Sequence, residues 1–454
     1  MSQRPLTMLR IVPSPAPNRN ARADVSIYRP FFLAGILTVL TAGCLLGAIA
    51  LAGIALNGTY TASAWTPYIL AHANSQLFGW VGFFIMGFAL QQHAPSMAKA
   101  KVFHRLAYTS LGLMGAGIAL RFVAEPMARV DRGLWVPVGV VACLMQFVAV
   151  LLFLYNSGAN RHRSGKGLTW QTTFVFASLF WLTVVSAVEP VVFAMTHQAS
   201  AQDSTVFIAK WFAPYRETQF LGFVAMMVFG VSLTKFSTCF GFRAALPSWG
   251  LAGFGLWTLG LISRTTGWVV YFESGLEWGH GIWFRLGGIL LALGAACVVV
   301  SLGVFERFSE SYRSHKFIRA AFGWLLAAGG LLALEPYHLM AINAPFSHAF
   351  TGAIRHAVTV GFISQMIVGV SFHVASRMNG IDDRQLPRLW TVFWLLNLGN
   401  AARVGLEIAT DYAPSAFLPM GATGFVELTG LAIWAVTMVR VMVWRKVGNV
   451  AYAC

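Results

Sequence analysis

Of the eleven histidines, two have the surroundings of metal ligands. His72 opens HANSQLFGW and lies seven residues before Gly79. His356 sits in RHAVTVG and lies five residues before Gly361. Each stands in the first turns of a long apolar run. At 1.5 Å of rise per residue the two anchors place them within about 3 Å of the same depth. Neutral imidazole is a common ligand of haem iron. Two histidines on neighbouring helices can hold a flat haem b edge-on. Gly79 is on the face of its helix that carries His72, where a macrocycle needs a missing side chain.

The remaining candidates follow from the same chemistry. Haem propionates are carboxylates, and arginine binds carboxylates bidentately; Arg121, Arg264 or Arg403 could clamp them, or pair with a nearby glutamate instead. Glu217 lies five residues before Gly222, as His356 does before Gly361. It could be a second metal ligand, a proton carrier, or the salt-bridge partner of Arg216 or Arg264. His338 and His348, in LEPYHLMAINAPFSHAF, could form a copper site with His280, because imidazole suits copper. His93 and His373 pair at the opposite helix ends. About 31 Å of helix separates His72 from His93, so those two cannot serve one site.

These residues are carried by an apolar chain. Of 454 residues 57% are hydrophobic and 11% charged, with mean hydropathy +0.66. Soluble domains carry roughly 25% charged residues. The sequence reads as an all-α polytopic membrane protein. Twelve runs, each about 20 residues or more, can span a bilayer: 31–56, 69–90, 106–124, 134–155, 171–195, 217–236, 246–265, 284–305, 318–334, 350–374, 389–409 and 416–444. Backbone groups in lipid must bond internally, which makes them helices. With the N-terminus cytoplasmic, 23 of the 32 Lys and Arg residues fall on the inner side. That asymmetry places both termini on the cytoplasmic side. It also accounts for the +16 net charge without nucleic acid. Residues 1–27 read as a mobile cytoplasmic tail with no cleavable signal, and 28–450 as one membrane domain. The five cysteines are scattered, with no paired spacing for a disulfide or a thiolate metal site.

The second, sixth and tenth runs share a register. Their glycines fall at 79 and 87, 222 and 230, 361 and 369, with Met86, Met226 and Met366 near the middle. Arg121, Arg264 and Arg403 each follow the first glycine by 42 residues. Small residues are common in membrane helices, which explains each glycine but not the shared register. The pattern predicts three pseudo-equivalent four-helix repeats at about 28–160, 165–305 and 315–447.

Histidines near the outer ends of the second and tenth of twelve helices resemble subunit I of the haem–copper oxidase and nitric oxide reductase superfamily. There those positions hold the axial ligands of the low-spin haem. The dinuclear-site histidines of that group are absent: the seventh run reads LGLISRTTGW, and the sixth has Glu217. The chain more closely resembles the NnrS family across roughly residues 28–445. The shared features are the opening YRPFFLAG (Tyr28–Gly35) and the closing IRHAVTVGFISQMIVGVSFHVASRMNG (Ile354–Gly380). That resemblance implies a haem- and copper-binding membrane protein that meets nitric oxide and relieves nitrosative stress. Two other classes stay open. One is a reductase fed by cytochrome c or quinol, with an atypical dinuclear site at Glu217. The other is a twelve-helix transporter of metal, haem or a small anion, since transporters also carry repeats.

Overall fold

A computed structural model describes residues 26–60, 64–94, 100–163, 167–307 and 312–443. All but two residues of the expected tail, and everything after 443, lie outside the described residues. The described residues contain twelve long helices and no strand. They are α1 (Tyr28–Asn57), α2 (Thr66–Gln92), α3 (Ala100–Met127), α4 (Arg132–Arg163), α5 (Thr172–Thr196) and α6 (Ala201–Cys239), then α7 (Pro247–Glu273), α8 (Ile282–Leu302), α9 (His315–Ala341), α10 (His348–Met378), α11 (Trp390–Ala409) and α12 (Phe417–Val443). Ten are long and apolar enough to cross a membrane, and the chain is an all-α multi-pass membrane protein on that ground. The exceptions are α7 and α11. They have the length, but Ser, Thr, Gly and Asn dilute their apolar residues.

Three helices occupy the centre. The apolar windows of α2, α6 and α10 are 72%, 67% and 72% buried, while no other spanning helix exceeds 50%. Phe229 of α6 packs on Phe362 of α10 with ring centres 6.0 Å apart. Trp80 Nε1 of α2 donates to Ser364 Oγ of α10 at 3.1 Å. Each central helix widens into an eight-residue π-helical stretch: Ser75–Gly82, Thr218–Ala225 and Ala357–Ser364. Gly79, Gly222 and Gly361 are the fifth residue of these stretches. Such widenings are rare and concentrate where a helix has a functional irregularity.

The glycine pairs seat the helix that precedes each central one. A Cβ on Gly79 would stand 2.3 Å from Thr38 of α1, one on Gly222 2.9 Å from Trp181 of α5, and one on Gly361 2.5 Å from Trp324 of α9. Gly87, Gly230 and Gly369 likewise receive Phe31, Val175 and Phe317. Missing side chains let helices approach closely where lipid offers no hydrophobic drive. Gly79 therefore makes room for α1 rather than for a macrocycle.

The opening and closing motifs meet. Asn379 Nδ2 donates to Tyr28 Oη at 2.9 Å, and Arg29 donates to Asn379 Oδ1. The first turn of α1 is thereby tied to the end of α10.

Candidate cofactor site

A cavity of about 320 Å³ lies between α1, α2, α6, α10, α11 and α12. That is near the lower end of the range for small-molecule sites. Its walls are mostly apolar, with Leu51, Ile54, Leu77, Trp80, Val81 and Leu431 among them. Polar groups in such walls are costly unless something bonds to them. The cavity nevertheless receives His72, His356, Arg216, Arg355, Arg403, Glu407 and Glu427.

Both histidines predicted as a pair reach it. His72 Nδ1 is 2.8 Å from Gly43 O, and its ring lies on Gly47, where a Cβ would come within 2.5 Å of Cε1. His356 Nδ1 is 2.9 Å from Gly352 O and 3.3 Å from Glu407 Oε2. A carbonyl oxygen only accepts, so in each ring Nδ1 carries a hydrogen, and in the neutral form of the ring Nε2 is the nitrogen with the lone pair. Neither Nε2 has a hydrogen-bond partner among the described residues. An Nδ1–H held by a carbonyl is the usual support of a metal-ligating imidazole. Two imidazoles presented in this way are a donor set that could hold a haem iron.

The three arginines in register have different environments. Arg121 pairs with Glu125 at 3.2 Å and with Glu189 of α5. Asn74 Nδ2 donates to that same Glu189 at 3.4 Å. Arg264 pairs with Glu217 at 2.9 Å and with Glu335 of α9 at 2.7 Å. Arg403 pairs with Glu407 of its own helix at 3.0 Å, and Glu407 in turn meets His356. Asn74, Glu217 and His356 all stand five residues before the register glycine of their helix. Two clusters are thus closed by a glutamate from a further helix. Beside the third lies the cavity, which Gly47 of α1 and Glu427 of α12 also line. Arg121 and Arg264 do not line it. Arg403 does, with Nε and one terminal nitrogen unpartnered.

The candidates for a second metal are dispersed. Glu217 is engaged by Arg264. His338 Nε2 is 2.7 Å from Asp411 Oδ2, and its ring stacks on Phe350 at 4.3 Å. His280 is exposed beside Glu277. Of the four, only His348 reaches the cavity. Among the described residues no group of three or more His, Cys, Asp or Glu is placed to hold a metal ion. His373 Nε2 is 3.0 Å from Cys239 O, and His93 N bonds Ala89 O at the end of α2.

Sequence reasoning passed over Arg216, Arg355 and Glu427 as site residues. The first two had a signal: each lies six residues before its register glycine and directly before Glu217 or His356. Glu427 had none. Tyr60, in the segment between α1 and α2, also lines the cavity, with its hydroxyl 3.0 Å from Thr410 Oγ1. Burial, then the Glu407 carboxylate, push that hydroxyl up to about 12. No protein-family model and no curated protein matches the sequence.

Proposed function

We propose that this chain is a haem b protein of the bacterial inner membrane that serves the response to nitric oxide, with His72 and His356 as the axial pair. The observation that carries the haem reading is the pair of imidazoles lining one apolar cavity, each with Nδ1 on a backbone carbonyl and Nε2 unengaged. A bound haem would supply a redox-active iron within reach of a small gas. The protein's own part is to fix two neutral imidazoles, keep the surroundings apolar, and present cations to the carboxylates.

The architecture we infer is three pseudo-equivalent four-helix repeats with twelve spans and both termini cytoplasmic. The shared π stretches, glycine seats and arginine clusters support it. The nitric oxide part rests on the resemblance of Tyr28–Gly35 and Ile354–Gly380 to the NnrS family. The contact of Asn379 with Tyr28 and Arg29 gives those two motifs a common structural purpose. The dispersal of Glu217, His280, His338 and His348 lends a copper site no support.

The test is a reduced-minus-oxidised spectrum of the purified protein beside His72→Ala and His356→Ala. A low-spin b-type spectrum that is lost or turned high-spin in both variants is the expected result. An unchanged spectrum in either variant removes that residue as a ligand. A wild type without haem removes the proposal.

A further inference from the structure

Arg216 and Arg355 occupy equivalent places. Each stands six residues before a register glycine and two before a π stretch, on the central helices α6 and α10. Both line the cavity. Arg216 is only 2% exposed. One terminal nitrogen donates to Gln219 Oε1 at 2.6 Å, while Nε and the other terminal nitrogen have no partner. The guanidinium lies over the Phe212 ring at 4.6 Å. The guanidinium of Arg355 makes no ion pair or hydrogen bond among the described residues. Arg121 and Arg264, by contrast, are each taken up by two carboxylates.

Two guanidiniums lining one mostly apolar cavity repel each other, and the buried Arg216 has lost water. An oxyanion offsets both costs, because arginine's fork matches a carboxylate with two parallel bonds. We propose that Arg216 and Arg355 form an oxyanion clamp that takes the two carboxylates of the tetrapyrrole. The assignment rests on the haem reading above and moves the propionate contacts from the arginines in register to this pair. Arg403, tied to Glu407, supports the Glu407–His356 contact instead.

The test uses the full chain purified without cofactor and titrated with haemin or haemin dimethyl ester. The ester keeps iron and macrocycle but masks both carboxylates. A charge-assisted hydrogen bond accounts for roughly 10- to 100-fold in affinity. Wild type should therefore bind haemin at least that much more tightly than the ester. Arg216→Ala/Arg355→Ala should bind the two alike, at the affinity wild type has for the ester. The lysine versions should fall between, and they guard against a folding defect, as does the ester comparison, which needs no substitution. Equal binding of haemin and ester by wild type overturns the clamp and leaves the histidine pair intact. Equal binding with arginine-dependent competition by nitrate assigns the clamp to a free oxyanion and also overturns the proposal. No binding of either ligand removes the haem reading and the clamp with it.

Discussion

Replacing Gly47 by alanine separates ligation from folding. The new methyl carbon would lie 2.5 Å from His72 Cε1, 2.8 Å from Nδ1 and 3.1 Å from Nε2. Carbon atoms settle at about 3.5 Å or more, so the ring must retreat by roughly 1 Å. Nδ1 starts 2.8 Å from Gly43 O. A retreat of that size takes it beyond hydrogen-bond reach. Losing one such bond costs about 1 kcal/mol of stability. Alanine in place of a mid-helix glycine returns about the same amount. The fold should therefore stay within about 1 kcal/mol of wild type. Loss of an outer-shell bond typically costs roughly 10- to 100-fold in metal affinity. Soret titration should show that loss, with a partly high-spin spectrum and an unshifted unfolding transition. Gly255→Ala is the control, since nothing stands within 4 Å of its Cβ; it should leave the spectrum alone. A Gly47→Ala protein with wild-type affinity and a fully low-spin spectrum would refute the placement of His72 as a ligand seated on Gly47.

Gly79→Val should push Thr38 away and destabilise the α1–α2 contact by about 1–3 kcal/mol, with the spectrum of the folded fraction unchanged; a changed spectrum with unchanged stability would return Gly79 to the cofactor. Arg264→Ala strands Glu217 and Glu335 and should cost roughly 3–5 kcal/mol in detergent unfolding. Adding Glu217→Gln and Glu335→Gln should recover part of it, and a loss below about 1 kcal/mol would show that the cluster is not a paired unit. Tyr60 is held neutral, so the stability it contributes is present below its ordinary value of 10 and is lost as pH rises towards about 12. The group is only partly buried, so the slope is shallow. Tyr60→Phe should lack that slope, and parallel curves for the two proteins would contradict a sequestered hydroxyl.

The helices were legible because a spanning segment must be both long and apolar. Even so, α7 and α11 are diluted enough to fall outside the ten that qualify by composition. The register of glycines and arginines was legible too, since spacing survives in one dimension. The role of Gly79 was not. A mid-helix glycine can make room for a ligand or for a neighbouring helix, and only the position of Thr38 decides. Arg121, Arg264 and Arg403 looked alike for a related reason. Their difference lies in the partner: Glu189 and Glu335 reach Arg121 and Arg264 from further helices, while Arg403 pairs with Glu407 of its own helix. Helix adjacency is not written in the spacing. His72 and His356 could be paired in advance because depth along a helix follows from residue count, and both line the cavity.

The location of the cavity follows from the same comparison. On the proposed repeat, each arginine in register needs carboxylate charge in a medium where an unpaired cation is costly. Arg121 and Arg264 each take a glutamate from a further helix as well as one nearer by. Arg403 takes only Glu407, and two of its nitrogens stay unpartnered. At the position that holds Asn74 in the first cluster and Glu217 in the second, the third has His356. No glutamate of a further helix forms an ion pair with Arg403 among the described residues, and the His72 ring lies on Gly47 in the wall of the same cavity. The third cluster thus carries an imidazole where the others carry Asn74 and Glu217, and both Glu407 and Glu427 line the cavity beside Arg403. An apolar filling would leave Arg216, Arg355 and Arg403 short of partners. A tetrapyrrole would meet these arginines and the two imidazoles at once, since it joins a metal to carboxylates on a flat apolar frame, and this is the chemical reason for proposing it over a bare ion.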